Sequence, residues 1–435
     1  GEQTYSILPK NPEDLGAIKS LLEKSIRENS IQTVEDLKRH ITSASSSTNT
    51  STSQINSVGV SILSGNPLKG RIPQTVHTLA HELRDKYVFP EIGEKCAAYI
   101  EQQLQEGAYD EISDPEVFVS VLTTDLRSIS GDKHVFVGIR PQKVATEAQV
   151  TKVNTVDYTE FPLIPRLVNV KAYIAPTNIG WMGEPMGSMC YEYKSGFLET
   201  DPSIGYFDLR KFGICNGETD YAKECYRDFF DDMSAESKAS KNVEIKDINA
   251  SGIKDAEARR QAYIDAIANL KSAKSIIIDM RFNSGGDPSA VQLLCSLFME
   301  EQFPLNRIEW RTPDGTKSDD FLTLTDTELP SNMRLKETPL YILTSPWTFS
   351  AGEEFCNNMK VYSRATVVGE LTGGGANPGN VLSLNDTFEA FIPSGRAVNP
   401  IQEGNWEGIG IVPDHYIANE QALDAAVDLI HTNMQ

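Results

Sequence analysis

The amino-acid sequence predicts an α/β protein, because uninterrupted apolar strands alternate with helical patterns along its second half. The run Ser275–Met280 is typical of a strand that is buried on both faces of a sheet. A second apolar run, Leu340–Leu343, is bounded by prolines and rich in β-forming residues. A helical pattern begins after Ser350, and the strand pattern Ala365–Gly369 follows it. This alternation of strand and helix favours an α/β core.

Length and charge restrict the class of protein. The chain has 435 residues, enough for two or three lobes around a large buried core. It carries 40 Lys and Arg against 61 Asp and Glu, a net charge of −21. That charge argues against a nucleic acid or an anionic membrane as partner, because both require basic patches. No apolar run approaches the roughly 20 residues that cross a bilayer.

Composition and periodicity divide the chain into four predicted segments. The first carries two helical patterns and a low-complexity Ser/Thr linker, and the sequence assigns it no function. The second is a helical subdomain that ends in a strand beside His134. The third is a mixed β and insert region, whose charged run we interpret as a solvated face. The fourth is the α/β core. The segments are 1–70, 71–140, 141–270 and 271–435; the linker is Thr42–Gln54, and the charged run is Asp228–Lys246.

Several elements are predicted from periodicity. Apolar residues recur at helical spacing between residues 74 and 129, which predicts a small bundle of three helices. Gly131-Asp132 is typical of a turn, and a strand pattern follows it. His134 therefore lies at a turn-to-strand junction. The remaining predictions are helices at Pro12–Glu28, Thr33–Ile41, Asp255–Lys274 and Glu420–His431, and strands at Leu167–Ala175, Ile204–Leu209 and within Val381–Ile392.

Ser350 is the candidate nucleophile. A strand, a turn and a helix follow one another around it, which places its hydroxyl beside free backbone N–H groups and the positive end of a helix dipole. An oxyanion that develops during attack on a carbonyl would meet those donors. Ser350 and Glu353 also form a capping-box pattern, which requires no chemistry. This stretch alone leaves both interpretations open.

A serine nucleophile requires a base. Among the six histidines, His134 is the best placed on local grounds, although its spacing from Ser350 does not establish contact. His77 and His81 lie four residues apart on a predicted helix, but the surrounding sequence matches no zinc motif. We therefore predict no metal site and no cofactor.

The cysteines lack metal-type spacing. Cys295 and Cys356 lie in apolar helical patterns and are predicted to be buried thiols. Cys215 and Cys225 would pair only in an oxidising compartment, and the sequence leaves their state open.

Two glycine-rich stretches carry candidate site residues. Gly285 and Gly286 separate a strand from a helix, where bare backbone can approach a ligand and donate N–H groups. Their spacing fits neither known phosphate-binding glycine motif, but it is compatible with half of an oxyanion hole. Glu407 lies between Trp406 and Gly408, in a loop where a carboxylate is ordinarily solvated.

Four motifs, taken in order, resemble one enzyme family. SIIIDMRFNSGGDPSA, LTSPWTFSAGEEF, ATVVGELTGGGANP and NWEGIGIVPD are similar to the tail-specific, or C-terminal-processing, serine proteases. The branch they resemble contains the tricorn protease core and the interphotoreceptor retinoid-binding protein modules. The resemblance covers roughly residues 74–417, with a poorly matching insertion near residues 145–202. As an ordered set the motifs are specific, whereas any one of them alone is not.

The resemblance implies a fold and a set of roles. The fold would be a core of crotonase-like ββα units with a small helical N-terminal subdomain and an inserted mixed segment. Ser350 would be the nucleophile, His134 the general base, and Glu407 the group that holds or polarises the histidine. The oxyanion donors would be the backbone N–H groups of Gly286 and Ala351, and the glycines expected near the substrate are Gly285, Gly373 and Gly374.

Two departures from the family pattern affect these roles. One branch uses a lysine roughly 25 residues after the serine, but Gly373–Asn380 contains none, so His134 must serve as base. The tricorn-type site has a serine immediately before its histidine, where this chain has Lys133. The way in which Glu407 acts on His134 is therefore left open.

The resemblance implies a serine peptidase that acts on peptides or proteins through an acyl-enzyme. The alternative is a non-catalytic protein of the same fold that binds a hydrophobic ligand such as a retinoid or fatty acid. No PDZ-like segment is evident. The family also implies a location outside the cytoplasm. No secretory signal is visible, and because the sequence begins with Gly1 rather than Met, that absence excludes nothing.

Overall fold

The computed structural model describes residues 68, 70–140, 165, 167–174, 193–212, 244–247, 256–312, 317–325, 329–401 and 404–434. They lie in a compact unit that spans residues 68–435. Its helices are α1 (Arg71–Lys86), α2 (Pro90–Gln105), α3 (Pro115–Ser130), α4 (Ala256–Ala268), α5 (Pro288–Phe298), α6 (Ala351–Val361) and α7 (Ala422–Asn433). Its strands are β1 (Phe136–Ile139), β2 (Leu167–Ile174), β3 (Tyr193–Leu198), β4 (Ile204–Leu209), β5 (Glu244–Asp247), β6 (Ser275–Asp279), β7 (Pro304–Arg311), β8 (Lys317–Leu324), β9 (Leu340–Thr344), β10 (Ala365–Gly369), β11 (Gly379–Ser383), β12 (Phe388–Pro393), β13 (Gly395–Val398) and β14 (His415–Tyr416).

The largest sheet has eight strands in the order β14-β10-β9-β6-β4-β3-β2-β5. The five strands from β14 to β4 run parallel to one another, whereas β3 is antiparallel to both β4 and β2. The predicted α/β class is therefore confirmed as a mixed α/β structure with a large mixed sheet. Strands from the predicted segments 141–270 and 271–435 share this sheet.

Helices cover both faces of the sheet, which explains why its central strands are apolar throughout. In β6, Ile276 and Ile278 belong to the apolar cluster that includes α5 and α6. The intervening Ile277 belongs to the cluster on the other face, with Ala426 and Ile430 of α7. Successive side chains of a strand point to opposite faces, so both must be apolar when both are covered.

The helices α1, α2 and α3 form a separate hydrophobic core with the three-stranded sheet β1-β12-β11. Asp114 begins α3 by accepting a hydrogen bond from the Glu116 N–H at 2.9 Å. Gly131 ends it at a φ of 70°, a left-handed conformation that glycine adopts without steric cost. The chain then reverses into β1, whose Phe136 is paired with Phe391 of β12. This turn places His134 at the edge of the helical core.

Most predicted elements in the described ranges are present, with shifted bounds. The strand predicted at Ile204–Leu209 is β4, and the strands predicted within Val381–Ile392 form the antiparallel pair β11 and β12. The helix predicted at Asp255–Lys274 is shorter, since α4 ends at Ala268. The predicted C-terminal helix corresponds to α7, which a short 3₁₀ turn precedes.

The sequence analysis missed the sheet β13-β7-β8, which interrupts the alternation of strand and helix after α5. Cys295 and Cys356 are buried free thiols, as predicted. The patterns predicted before residue 68, together with Cys215 and Cys225, lie outside the described residues. So does most of the charged run.

We predict that Phe118→Ala lowers the free energy of unfolding by about 3–5 kcal/mol, because it empties a packed site in the helical core. Phe118 is fully buried, and its ring lies 5.9 Å from that of Tyr109 and 5.4 Å from that of Phe388. Urea unfolding measures the change. Val117→Ala is the matched control, because Val117 is 48% exposed on the same helix and should change stability by less than about 0.5 kcal/mol. Equal effects of the two substitutions would contradict the described packing.

Candidate active site

The candidate site lies where four parallel strands end. The loops after β4, β6, β9 and β10 carry Phe212, Gly286, Ser350 and Gly375 respectively. Because the carboxyl ends of parallel strands meet at one edge of a sheet, residues far apart in the chain converge there. The Phe212 N–H donates to the Gly285 carbonyl at 2.8 Å, which joins the first two loops directly.

Ser350 has an unusual backbone conformation at the start of α6. Its φ of 53° and ψ of −122° lie outside the regions that residues with a side chain ordinarily adopt. Neighbouring contacts hold it there. The Phe349 N–H donates to the Asn283 carbonyl at 2.9 Å, and the Asn283 side chain accepts from the Gly285 N–H at 2.9 Å. A side chain at Gly285 would place its Cβ 2.6 Å from Ser350 Cβ, so only glycine fits behind the serine.

His134 lies against Ser350. Its Nε2 is 2.9 Å from Ser350 Oγ, within hydrogen-bonding distance. The imidazole packs between Phe349 and Phe391, with ring centroids 4.6 Å and 5.8 Å away, and its side chain is 10% exposed. Burial and, to a smaller extent, the charge of Arg127 lower the pKa of His134 to about 3. The ring is therefore neutral at physiological pH, the state in which it can accept a proton.

Asp132, which the sequence analysis treated only as a turn residue, is buried beside His134. Its carboxylate accepts hydrogen bonds from the His134 N–H at 2.8 Å, the Asn377 side chain at 2.9 Å and the Tyr87 hydroxyl at 3.1 Å. Its Oδ1 lies 3.9 Å from His134 Nδ1. Burial raises its pKa, and the three donors oppose that rise by favouring the charged form. A buried aspartate in a G-D-x-H sequence resembles an ordinary turn, so the sequence alone could not single it out.

Glu407 is the second carboxyl group near His134. Its Oε2 accepts from the Ala376 N–H at 2.5 Å, whereas its Oε1 and His134 Nδ1 are buried atoms without a hydrogen-bond partner. Glu407, Asp132 and His134 each offer one atom within 4.8 Å of the others. Burial and, to a smaller extent, the neighbouring charge of Asp132 raise the pKa of Glu407 to about 8. Glu407 thus lies near the imidazole without a direct hydrogen bond to it.

Glu353 connects Ser350 to the glycine-rich loop after β10. Its carboxylate accepts from the Ser350 N–H at 3.1 Å, which is half of the predicted capping box. It also accepts from the N–H groups of Gly374 and Gly375, both at 2.7 Å, and from the Thr372 hydroxyl at 2.5 Å. Burial raises the pKa of Glu353 to about 7, and these donors oppose the rise. The residue therefore fixes two sides of the site at once.

Two backbone N–H groups at the site have no acceptor among the described residues. They belong to Gly286 and Ala351, the predicted oxyanion donors, and both residues border a cavity of about 590 Å³ together with Ser350 and His134. The Ala351 N–H is free because it lies in the first turn of a helix, where no intrahelical acceptor exists. The arrangement can therefore offer two donors to a negatively charged oxygen beside Ser350 Oγ.

The three glycines expected near the substrate are not among the residues that line this cavity. The N–H of Gly285 is engaged by Asn283, that of Gly373 by the Thr348 carbonyl, and that of Gly374 by Glu353. Lys133, at the position where the tricorn-type site has serine, donates through Nζ to the Gly373 carbonyl at 2.5 Å. A substrate-binding role for these glycines stays a prediction. Gly375 borders the cavity instead.

Two family models match the chain. Residues 242–417 match the model for peptidase family S41, and residues 62–168 match the N-terminal domain of peptidase S41 in eukaryotic IRBP. The chain belongs to peptidase family S41. The predicted resemblance is thereby confirmed at the level of the family, and the two matches contain Ser350, Glu407 and His134.

One curated relative of this S41 chain is the chloroplastic carboxyl-terminal-processing peptidase 1 of Arabidopsis thaliana. It is 27% identical over 172 residues, which are 40% of this chain. The match spans about a third of that relative's length, 32%.

Solved structures are also similar to this S41 chain. A putative peptidase from Parabacteroides merdae is 15% identical, with a TM-score of 0.49 over 82% of this chain and 96% of that one. The photosystem II D1 C-terminal processing protease is 14% identical, with a TM-score of 0.40 over 80% and 93% of the two chains. In the part of the S41 chain that the structure describes, no helix is long and apolar enough to cross a membrane.

We predict that Glu407→Gln makes the stability of the S41 chain less sensitive to alkaline pH. The folded-state pKa of Glu407, about 8, lies above its ordinary value of 4.5. The unfolded chain therefore releases this proton first, and the free energy of unfolding falls as pH rises from about 4.5 through 8. Glutamine cannot ionise, so the variant should lose less stability over this range. Urea unfolding at pH 5.5 and pH 8.5 measures both slopes, and equal slopes would contradict a buried, proton-binding Glu407.

Proposed function

We propose that this protein is a serine peptidase that hydrolyses peptide bonds through an acyl-enzyme, with Ser350 as nucleophile. The observation that carries the proposal is the 2.9 Å contact between His134 Nε2 and Ser350 Oγ, beside two unengaged backbone N–H groups. Membership of family S41 supports the same reaction class. A neutral imidazole, a hydroxyl and oxyanion donors are the parts that acyl transfer needs.

The proposed reaction begins when His134 Nε2 takes the Ser350 hydroxyl proton as Oγ attacks a peptide carbonyl carbon. The carbonyl oxygen then carries a negative charge, which the N–H groups of Gly286 and Ala351 stabilise. When the C–N bond breaks, His134 returns the proton to the leaving amine, and the acyl group stays on Oγ. A water molecule then loses a proton to His134 and attacks the ester. Collapse of that intermediate returns the proton to Ser350 and releases the acid.

The two carboxyl groups near His134 have different proposed roles. Asp132 holds the main chain of His134 and places a negative charge 3.9 Å from Nδ1, which would stabilise the imidazolium that forms during attack. Glu407 adds to that stabilisation when it is ionised. Because burial raises its pKa to about 8, its contribution should be largest in alkaline solution.

Finer features belong to the same proposal. The core would be of the crotonase-like kind, and substrates would be peptides or proteins. The location would be outside the cytoplasm or in an organelle lumen, as for the chloroplastic relative. A purely ligand-binding function is not favoured, because it has no use for a serine and a histidine in hydrogen-bonding contact.

A fluorophosphonate probe tests the proposal. We expect one covalent adduct, located by mass spectrometry on Ser350, because activated serines react with the electrophilic phosphorus. Ser350→Ala should abolish labelling and hydrolysis of casein with little change in thermal unfolding. His134→Ala should lower the labelling rate by two or more orders of magnitude, roughly the contribution of a general base.

Ser284→Ala is the matched control, because Ser284 borders the same cavity but has no histidine partner among the described residues. It should retain labelling. Labelling that persists in Ser350→Ala, or a folded parent protein that neither labels nor cleaves casein, would overturn the assignment.

A further inference from the structure

The cavity beside Ser350 combines apolar walls with an unusual buried carboxylate. Its volume is about 590 Å³, within the range of sites that enclose a small ligand or a long side chain. Most of its lining is aromatic or aliphatic and comes from segments that are far apart in the chain. The aromatic members are Phe136, Phe212, Trp310, Phe349, Phe391 and Trp406.

Glu354 is the buried carboxylate of this cavity. It lies on α6 four residues after Ser350, its backbone N–H donates to the Ser350 carbonyl at 2.9 Å, and only 9% of its surface is exposed. Among the described side chains, only the Asn306 amide favours the charged form of Glu354. The two groups do not form a well-aligned hydrogen bond, because Asn306 Nδ2 has no partner at hydrogen-bonding geometry. Burial raises the pKa of Glu354 to about 7. The proposed reaction makes no use of this group.

A second carboxylate acts on the same space. Asp287 borders the cavity, and its negative charge contributes to the raised pKa of Glu354, so the two groups interact electrostatically. Its Oδ1 accepts from the Ser289 N–H at 2.9 Å, which begins α5. The one cation among the described lining residues is Lys211, and it forms no ion pair with either carboxylate. The lining of the cavity therefore carries two carboxyl groups against one ammonium group.

We propose that Glu354, with Asp287, makes this cavity a subsite that selects a basic side chain, lysine or arginine, of the peptide substrate. The proposal rests on the proposed peptidase function, whose site adjoins the cavity. The aliphatic stem of such a side chain would pack on the aromatic walls, and its charged end would meet the Glu354 carboxylate. A buried carboxylate that only one amide stabilises is costly to ionise, so a cation that pairs with it gains more than it would in water.

Matched peptides test the selection. The probes are Ac-Ala-Ala-X-Ala-Ala-amide peptides in which X is lysine or norleucine, which has the same stem without the charge. Their affinities are measured by calorimetry on the Ser350→Ala variant, so the result does not depend on turnover. We expect lysine to bind about ten- to hundredfold more tightly, the effect of a hydrogen bond to a charged group. Glu354→Gln, added to that variant, should reduce the ratio to near one.

The pH dependence of the ratio gives a second readout. Glu354 ionises with a pKa of about 7, so the preference for lysine should rise as pH increases from 6 to 8. Titrations that act equally on both peptides cancel in the ratio, and those that act on the lysine charge, such as the titrations of Glu353 and Glu407, are measured separately in the Glu354→Gln protein. In the Glu354→Gln protein the ratio should stay constant over this range.

Two further variants test whether the effect depends on the charges that border the cavity. Asp287→Asn can still begin α5 but loses the charge, and should lower the ratio less than Glu354→Gln does. Glu301→Gln removes one exposed charge elsewhere and should leave the ratio unchanged. Equal affinity for the two peptides, or a lysine preference that survives Glu354→Gln, would overturn the subsite. If the peptidase assignment is wrong, fluorophosphonate does not label the protein, whatever the ratio of the two peptide affinities.

Discussion

The organisation of the site depends on one buried carboxylate, that of Glu353. It accepts hydrogen bonds from the N–H groups of Ser350, Gly374 and Gly375 and from the Thr372 hydroxyl. A buried charge is tolerated in a protein only when such donors surround it. Moving any of those donors away would leave part of the Glu353 carboxylate without a hydrogen bond, which is unfavourable in free energy, so the donors are held in place. The strained serine and the glycine-rich loop become one rigid unit.

The rest of the site comes from a different hydrophobic core. His134 and Asp132 follow the last helix of the helical core, whereas Ser350 begins a helix that packs on the large sheet. Besides the contact between His134 and Ser350, two hydrogen bonds near it join these parts: Asn377 donates to Asp132, and Lys133 donates to the Gly373 carbonyl. The imidazole itself fits between Phe349 and Phe391. A side chain at Gly375 would bring its Cβ within 2.7 Å of His134 Cε1, so that glycine is required for the fit.

The sequence predicted the elements with the strongest patterns and the residues carried by ordered motifs. β6 and β9 were recognisable because strands buried on both faces are apolar throughout. The contact between His134 and Ser350 follows from the family motifs, since a separation of 216 residues has no local pattern. Asp132, Glu354 and the second role of Glu353 could not be predicted, because burial and partners decide what a carboxylate does. The sheet β13-β7-β8 was missed because its strands, partly exposed, lack a continuous apolar run.

The pairing of β1 with β12 has a consequence for how the protein is made. β1, the strand beside His134, pairs with β12 (Phe388–Pro393), and Phe136 lies opposite Phe391. The residues of β12 are added to the growing chain some 250 residues after those of β1. A chain still emerging from the ribosome therefore carries the histidine without the wall against which its ring packs. The complete arrangement therefore forms only after the residues of β12 have been added. A chain that ends before β12 therefore carries Ser350 and His134 without the strand against which the imidazole packs.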